Sequence, residues 1–391
     1  MFVLLLAIIY IAFISLGLPD SLLGSAWPLM SVDFNVPVSY ASIVSIVISL
    51  GTIISSLFSE KLNKKMGTAL VVSISTLMTA LSLLGFALSS NFWLLLVFSI
   101  PLGLGAGAID AALNNYVALH YKSSHMSWLH CMWGVGASIG PYIMGFSMVN
   151  YESWNGGYLI IAIIQIVLSV FLFISIPLWK KQKINPEIQV EDTKEDTPLS
   201  FKEILKIKGI HLIMIAFFCY CAVESLLFLW SSTYYIEKHN IHEDLAASLA
   251  SAFYIGMTVS RLISGFLSMK LSDKFMIVLG SIIVLIGGSL LILNINEYVS
   301  FASIIIIGLG CGPIYPCIIH STPYLFGKDK SQAVIGFQIS SAYFAFLIVP
   351  ILFGVLVQYI SSLLLPLFVL VFILIVLILY LRLHKIKIKQ K

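Results

Sequence analysis

Apolar residues recur along this chain in runs long enough to cross a lipid bilayer; residues 363–381 alone read LLLPLFVLVFILIVLILYL. A helix needs about 20 predominantly apolar residues to cross about 30 Å of hydrocarbon, so a chain made of such runs folds in a membrane. The composition agrees. Of 391 residues, 59% are apolar and 10% charged, against about 25% charged in a soluble domain. Mean hydropathy is +1.02. A transmembrane barrel would alternate apolar and polar residues at every second position, and these runs do not. The expected fold class is an all-α membrane protein.

Twelve spans are expected, near residues 3–27, 40–58, 68–88, 92–119, 128–149, 157–179, 209–235, 245–267, 275–294, 298–325, 333–359 and 362–382. A charged segment at 180–208, with Pro186 and Pro198, divides six spans from six. The expected domains are a six-helix bundle over 1–179, a linker over 180–208, and a second six-helix bundle with a basic tail over 209–391. Basic residues fix the orientation. Lys61, Lys64, Lys65, Lys122, seven linker lysines, Lys270, Lys274, Lys328, Lys330 and the five basic residues from Arg382 onward all fall on one side. That is 20 of the 22; Lys238 is opposite and Arg261 lies within a span. Cytoplasmic loops carry the excess of Lys and Arg, so both termini and the linker are expected in the cytoplasm. The first residues, lacking a basic n-region and a small-residue cleavage site, read as a retained first helix rather than a removed signal.

Within the linker, Glu191, Asp192, Glu195 and Asp196 form a solvated acidic stretch. Ser200-Phe201-Lys202-Glu203 has the spacing of a capping box ahead of Ile204, Leu205 and Ile207, which predicts a short amphipathic helix on the inner membrane face. The net charge of +4 is too small, and too scattered, to imply a nucleic-acid partner. The five cysteines lie in apolar runs without a C-x-x-C pair, so they read as small buried hydrophobes. No carboxylate stands at metalloprotease spacing from His125 or His130. Neither a metal nor a cofactor is expected.

The two halves repeat. Residues 102–111 read LGLGAGAIDA and residues 307–316 read IGLGCGPIYP, so Gly103, Gly105 and Gly107 match Gly308, Gly310 and Gly312 at an offset of 205. The same offset relates Gly51 and Ser55 to Gly256 and Ser260, while Pro141 and Gly145 match Pro350 and Gly354 at 209. A parallel repeat of six spans suits transporters whose halves rock about a site near the bilayer midplane. Residues 103–108 also fit G-x-G-x-x-A, the dinucleotide fingerprint. That fingerprint needs a strand before it and a soluble βαβ unit around it; here the glycines let helices approach closely.

Three carboxylates fall inside spans: Asp20, Asp110 and Glu224. A charge at the bilayer centre costs on the order of 3 kcal/mol on insertion scales, so such residues face a wet cavity or a partner and mark functional sites. Burial favours the neutral form of a carboxylate, which suits proton coupling. Asp20 shares a helical stripe with Phe13, Gly17, Gly24 and Trp27; Asp110 shares one with Gly103, Gly107 and Asn114. Glu224 shares a face with Tyr220, Phe228, Ser231 and Tyr235 and is a candidate for hydroxyl binding or a second proton site. Arg261, within snorkelling reach of the inner surface, is expected at an inner gate. His130, Trp133, Tyr254, His320, Gln338 and Tyr343 complete the candidate solute-binding set, with Tyr315 where the repeat puts the counterpart of Asp110. Aromatic faces and amide acceptors of this kind suit a sugar or polyol.

The motifs GLPDSLLGSAWP (17–28), GLGAGAIDAALNN (103–115) and SWLHCMWGVGASIGP (127–141), set in six plus six spans around a cytoplasmic linker, resemble the major facilitator superfamily and within it the fucose/glucose–proton symporter-like branch. The resemblance covers essentially the whole chain. It implies that an acid in span one and another in span four serve proton coupling and sugar recognition; these fall on Asp20 and Asp110. A sugar-contacting polar residue of span five falls on His130. Two departures stand out. The span-four acid is usually Glu in the sugar symporters and is Asp here. The inner-loop signature G-x-x-x-D-R-x-G-R-R is reduced in SEKLNKKMGT (59–68) to Lys65 and Gly67, which makes Lys65 the remaining gate candidate there.

The expected function is therefore secondary active transport by alternating access: proton-coupled symport of a sugar or similar small polar solute, driven by the proton gradient. A proton-driven exporter of drug-like or amphipathic molecules is the alternative, and a non-transporting receptor on the same scaffold is a further one. An intramembrane enzyme would need a nucleophile–base pair or metal ligands, and neither G-x-S-x-G nor H-E-x-x-H occurs, so no catalytic residue is expected. Solute, protons and lipid are the expected partners of a monomer. The Lys- and Ile-rich composition points to a bacterial plasma membrane.

Overall fold

A computed structural model of the chain describes residues 2–151, 153–179, 198–239, 243–293 and 296–388. The acidic stretch at 191–196 lies outside them. Secondary structure among the described residues is helical throughout. The chain forms two compact units, Met1–His120 with Leu129–Leu199, and Tyr121–Trp128 with Ser200–Lys391.

The first unit contains α1 (Phe2–Gly17), α2 (Leu22–Asp33), α3 (Ala41–Leu57), α4 (Ser59–Met66), α5 (Thr68–Ala87), α6 (Phe92–His120), most of α7 (Ser123–Tyr151) and α8 (Trp154–Trp179). The second contains the start of α7, α9 (Phe201–Lys206), α10 (Ile210–His239), α11 (Glu243–Leu267), α12 (Asp273–Leu293), α13 (Glu297–Cys311), α14 (Ile314–Phe326), α15 (Lys328–Tyr359) and α16 (Leu365–Ile388). Every expected span lies on one of these helices or on a broken pair. By length and composition, nine described helices could cross a membrane, or ten if α3 and α4, bent by 57°, count as one span. Helix α7, rich in Ser, His and Trp, is not among them, and α11 offers only the shorter apolar stretch Ala252–Leu267. The composition thus falls short of twelve.

Small residues set the packing, and they do so twice. In the first unit a side chain on Gly103 would strike the carbonyl of Ile48, and one on Gly107 would strike Thr52 and Ser55. In the second, Gly308 faces the carbonyl of Phe253 and Gly312 faces Ser260. Gly105 lies against Ser75 and Thr79, and Gly310 against Gly280 and Val284. Apart from Thr52, each of these partners repeats at the offset of 205, so the close approach of α6 to α3 and α5 recurs as that of α13 to α11 and α12.

Two expected spans are broken by proline. Proline has no N–H to give to the carbonyl four residues earlier, and a bare carbonyl is not tolerated where water is absent. At Pro19 the first span turns through a 3-10 segment, Leu18–Ser21. The Ser15 carbonyl that Pro19 cannot serve accepts from Gln165 Nε2 of α8 at 2.7 Å. Pro313 separates α13 from α14, and the Leu309 carbonyl accepts from Ser260 Oγ at 2.5 Å. Within α7, Pro141 leaves the Ala137 carbonyl to Ser21 Oγ, at 2.7 Å. Side chains from neighbouring helices therefore hold each break in place.

Helix α9 starts as its sequence predicts. Ser200 Oγ accepts from the Glu203 N–H at 3.3 Å, and the Glu203 carboxylate accepts from the Ser200 N–H at 2.7 Å. The Ser200 side chain and backbone bonds, aided by Lys206, hold the Glu203 carboxyl below the usual carboxylate range. Just before α9, in the first unit, the Leu199 N–H donates to Glu60 of α4 at 3.2 Å.

Candidate functional site

The 3-10 turn at Leu18–Ser21 decides where Asp20 points. An unbroken helix would stack it with Phe13, Gly17, Gly24 and Trp27. The turn resets that register: Asp20 and Gly24 are exposed, while Phe13, Gly17 and Trp27 are buried. Trp27 packs edge-on to Phe92 within the apolar core of the first unit, beside Leu83 and Phe86. Asp20 accepts a hydrogen bond from Trp133 Nε1 of α7 at 2.8 Å.

One layer deeper in the same unit lies a buried polar chain. Asn114 Nδ2 donates to Asp110 Oδ1 at 2.7 Å, and also to the Asp110 carbonyl at 3.0 Å. The other end of the amide, Oδ1, lies 3.0 Å from His130 Nε2. With the amide so oriented, that ring nitrogen carries a hydrogen. Phe13 closes the chain with its ring edge-on to His130 at 5.4 Å between centroids. Asp20 is near enough for its charge to act on Asp110. The expected first-half set of Asp20, Asp110, Asn114, His130 and Trp133 is thus brought together by α6, α7 and the broken first span. A cavity of about 290 Å³ nearby, lined by Ile54, Phe58, Met78 and Leu104, contains none of these residues and is almost wholly apolar.

The second unit carries a charged cluster of its own. Arg261 of α11 is buried, and its Nη2 lies 3.1 Å from Glu224 Oε1 of α10. Its guanidinium stays inside the unit rather than snorkelling to the surface, paired with a carboxylate on the next helix. Tyr220 Oη lies 2.6 Å from the same Glu224 oxygen and 2.9 Å from the Cys311 carbonyl at the α13–α14 break. Tyr315 lies tilted against Phe217 at 4.6 Å and edge-on to Tyr220 at 6.2 Å between centroids. Tyr254 stands edge-on to Phe228 and senses the charges of Glu224 and Arg261. Glu224, Tyr254, Tyr315 and Arg261 therefore belong together.

Besides Trp27, four expected residues join neither group. His320 Nδ1 lies 2.6 Å from Asp273 Oδ2 and its Nε2 lies 3.1 Å from the Tyr121 carbonyl. The Tyr121 carbonyl only accepts, so Nε2 carries a hydrogen, and Nδ1 shares one with the Asp273 carboxyl. Ser123 also bonds Asp273. These contacts, with Trp128 lying against Gly265, hold 121–128 within the second unit rather than with the 1–179 bundle. Gln338 is wholly buried and accepts from Thr322 Oγ1 at 3.0 Å. Tyr343 is half-buried beside Phe346. Lys65 is exposed at the end of α4, and the ion pair of that loop is made by Lys64 with Glu60 at 3.0 Å.

Sequence reasoning missed Tyr220 as a site residue, and also Asp273 and Glu60. Tyr220 precedes Glu224 by one helical turn, so the spacing was there to be read. Asp273 and Glu60 sit among loop lysines in the sequence and look like solvated charges.

The profile of the Major Facilitator Superfamily matches residues 9–242 and 213–391. The chain is 25% identical over 284 residues to Bypass of stop codon protein 6 of Saccharomyces cerevisiae, a match covering 68% of this chain and 57% of that protein. It is 23% identical over 358 residues to the glucose/mannose transporter GlcP of Bacillus subtilis, covering 88% of this chain and 86% of the other. The crystal structure of the E. coli fucose:proton symporter FucP superposes with a TM-score of 0.77 at 15% identity, covering 97% of this chain and 98% of the symporter. With two matched stretches that together take in nearly all of its length, the chain belongs to the Major Facilitator Superfamily of transporters.

Proposed function

We propose that the protein is a proton-coupled symporter for a sugar or similar small polar solute, working by alternating access in a plasma membrane, with both termini on the cytoplasmic side. The observation that carries this reading is the pairing of an exposed carboxylate, Asp20, with the buried chain Asp110–Asn114–His130 in one unit. Asp20 is placed to meet a proton and a solute. Asp110 holds a second carboxylate in electrostatic touch with the first. Protonating either one removes the repulsion between them, and a neutral site tolerates removal from water far better than an anionic one. The amide of Asn114 and the indole of Trp133 offer hydrogen bonds of the type sugar hydroxyls use. The names of the relatives, a glucose/mannose transporter and a fucose:proton symporter, favour the same solute class.

The test is proton flux into proteoliposomes holding a trapped pH dye, challenged with a panel of sugars, polyols and hydrophobic cations. Asp20→Asn and Asp110→Asn run beside the wild type, since both keep shape and cannot titrate. Acidification driven by a sugar and lost in either variant is the expected result. Flux driven only by a hydrophobic cation would replace symport with export. Acidification unchanged in both variants would remove these acids from the coupling.

A further inference from the structure

Two cavities of the first unit share a wall. The first, about 290 Å³, is lined among others by Phe58 at the α3–α4 bend, by Leu62 and Met66 of α4, and by Val71, Ile74 and Met78 of α5. The second, about 400 Å³, continues from Ile74 and Met78 to Leu81 of α5 and to Phe98 and Pro101 of α6. Together they form one furrow, almost wholly apolar. Along α5 it runs from Val71 to Ser82, about 16 Å at the rise of an α-helix. One leaflet of hydrocarbon is about 15 Å deep, half of the whole core. Helices α5 and α6 are both long and apolar enough to span, and the rim residues Ile54, Ile74 and Leu81 are exposed. The furrow therefore opens to lipid.

Its lining carries no charge, and two lysines stand at its α4 end. Leu62 and Met66, four apart, form the stripe that α4 turns to the furrow. Lys61 and Lys65 form the stripe beside it, and both are exposed. Lys61 Nζ lies 5.3 Å from the ring centroid of Phe58, which is a wall of the first cavity. Glu60 is on the far side of the helix, buried, with Lys64 at 3.0 Å. A helix bordering water buries its apolar stripe and turns its charges outward. Helix α4 instead buries a carboxylate and leaves Leu62 and Met66 half-buried. We propose that the furrow binds one anionic phospholipid, with its phosphate on Lys61 and Lys65 and one acyl chain laid along α5 and α6. The lysines match the charge of the headgroup, and the furrow matches the chain in polarity and in length. A free phosphate would leave the furrow uncovered, and a zwitterionic lipid would gain little from the lysines. Under the orientation proposed above, the site faces the cytoplasmic leaflet, where anionic lipid carries the negative surface potential.

Phosphatidylglycerol bearing a diazirine near the end of one acyl chain would be doped into phosphatidylcholine bilayers that hold the full chain, and the cross-linked peptides mapped. Phosphatidylcholine with the same photoactivatable chain is the matched probe. Phosphatidylglycerol is expected to label the far end of the furrow, around Leu81 and Phe98, at least about fivefold more than phosphatidylcholine, since one basic residue at an anionic surface is worth about that factor. The variant K61Q/K65Q should bring the two probes level. K202Q/K208Q, which removes two exposed lysines in and beside α9, should keep the excess. I74W, on the exposed rim where the two cavities meet, should cut labelling of the far end by both probes. Every substituted position is exposed, and thermal unfolding in detergent reports that each variant is folded.

Equal labelling by the two probes in the wild type overturns the inference, because bulk lipid would then fill the furrow. An excess that K61Q/K65Q retains overturns it as well. So does an excess that K202Q/K208Q loses to the same extent, which would be diffuse surface charge, and so does labelling that I74W leaves unchanged. Sugar-driven proton flux is measured separately, so the failure of either reading leaves the other standing.

Discussion

Asn114 holds its place with both ends of one amide, which makes it hard to replace. Its Nδ2 serves Asp110 and its Oδ1 meets His130, all three buried. Asn114→Leu would take the amide away from both Asp110 and His130. A buried polar group left unpaired costs about 1–3 kcal/mol, so chemical unfolding in detergent should show a loss in that range. Asp20→Asn is the contrast. It is exposed and the amide oxygen still accepts from Trp133, so its stability should stay within about 0.5 kcal/mol of wild type. Equal stability of Asn114→Leu and wild type would mean that the chain is not what holds these residues. The spacing of Asp110 and Asn114, one helical turn apart, was legible in the sequence. The bonds to His130 and Trp133 were not, because they depend on which spans pack together, and periodicity within a span carries no information about its neighbours.

At the scale of the helix, the repeat at an offset of 205 proved to be a packing code, and the glycines are its letters. A side chain on Gly308 would enter the backbone of α11 at Phe253 and Met257, whereas one on Gly24 meets nothing within 4 Å. Gly308→Ala should therefore cost about 1–3 kcal/mol as an overpacked site. Gly24→Ala should be neutral, or stabilising by up to about 1 kcal/mol through helix propensity. Melting curves of the two variants in one detergent decide it, and equal losses at both positions would show that backbone entropy, not close packing, explains the glycines. The sequence showed these residues and their register because the contact is encoded by residue size at fixed spacing. It did not show the breaks at Pro19 and Pro313. A proline within an apolar run is tolerated in a membrane helix when other groups serve the freed carbonyl, and Gln165 and Ser260, which do so here, lie 146 and 53 residues away in the chain. The same blindness explains Trp27: a stripe drawn through the 3-10 turn put it beside Asp20, and the turn swings it into the apolar core.

For the whole molecule, the distribution of lysines and the apolarity of the helices give different counts of spans, and the difference falls on α7 and α11. These two helices supply Trp133, His130, Tyr254 and Arg261 to the candidate sites. Polar and aromatic site residues lower the apolarity of these two helices, so hydropathy passes over them, while the charge alternation still counts them. If α7 did not span, Lys122 and Tyr151 at its two ends would lie on the same side of the membrane; if α11 did not, Lys238 and Lys270 would. The native cysteines among the described residues are all buried, which leaves a quiet background for added ones. Lys122→Cys and Lys270→Cys are expected to react with a membrane-impermeant maleimide only after cells are opened. Tyr151→Cys and Lys238→Cys are expected to react in intact cells. Labelling of both members of either pair from the same side would remove that helix from the spans, and with it the residues it brings to the site.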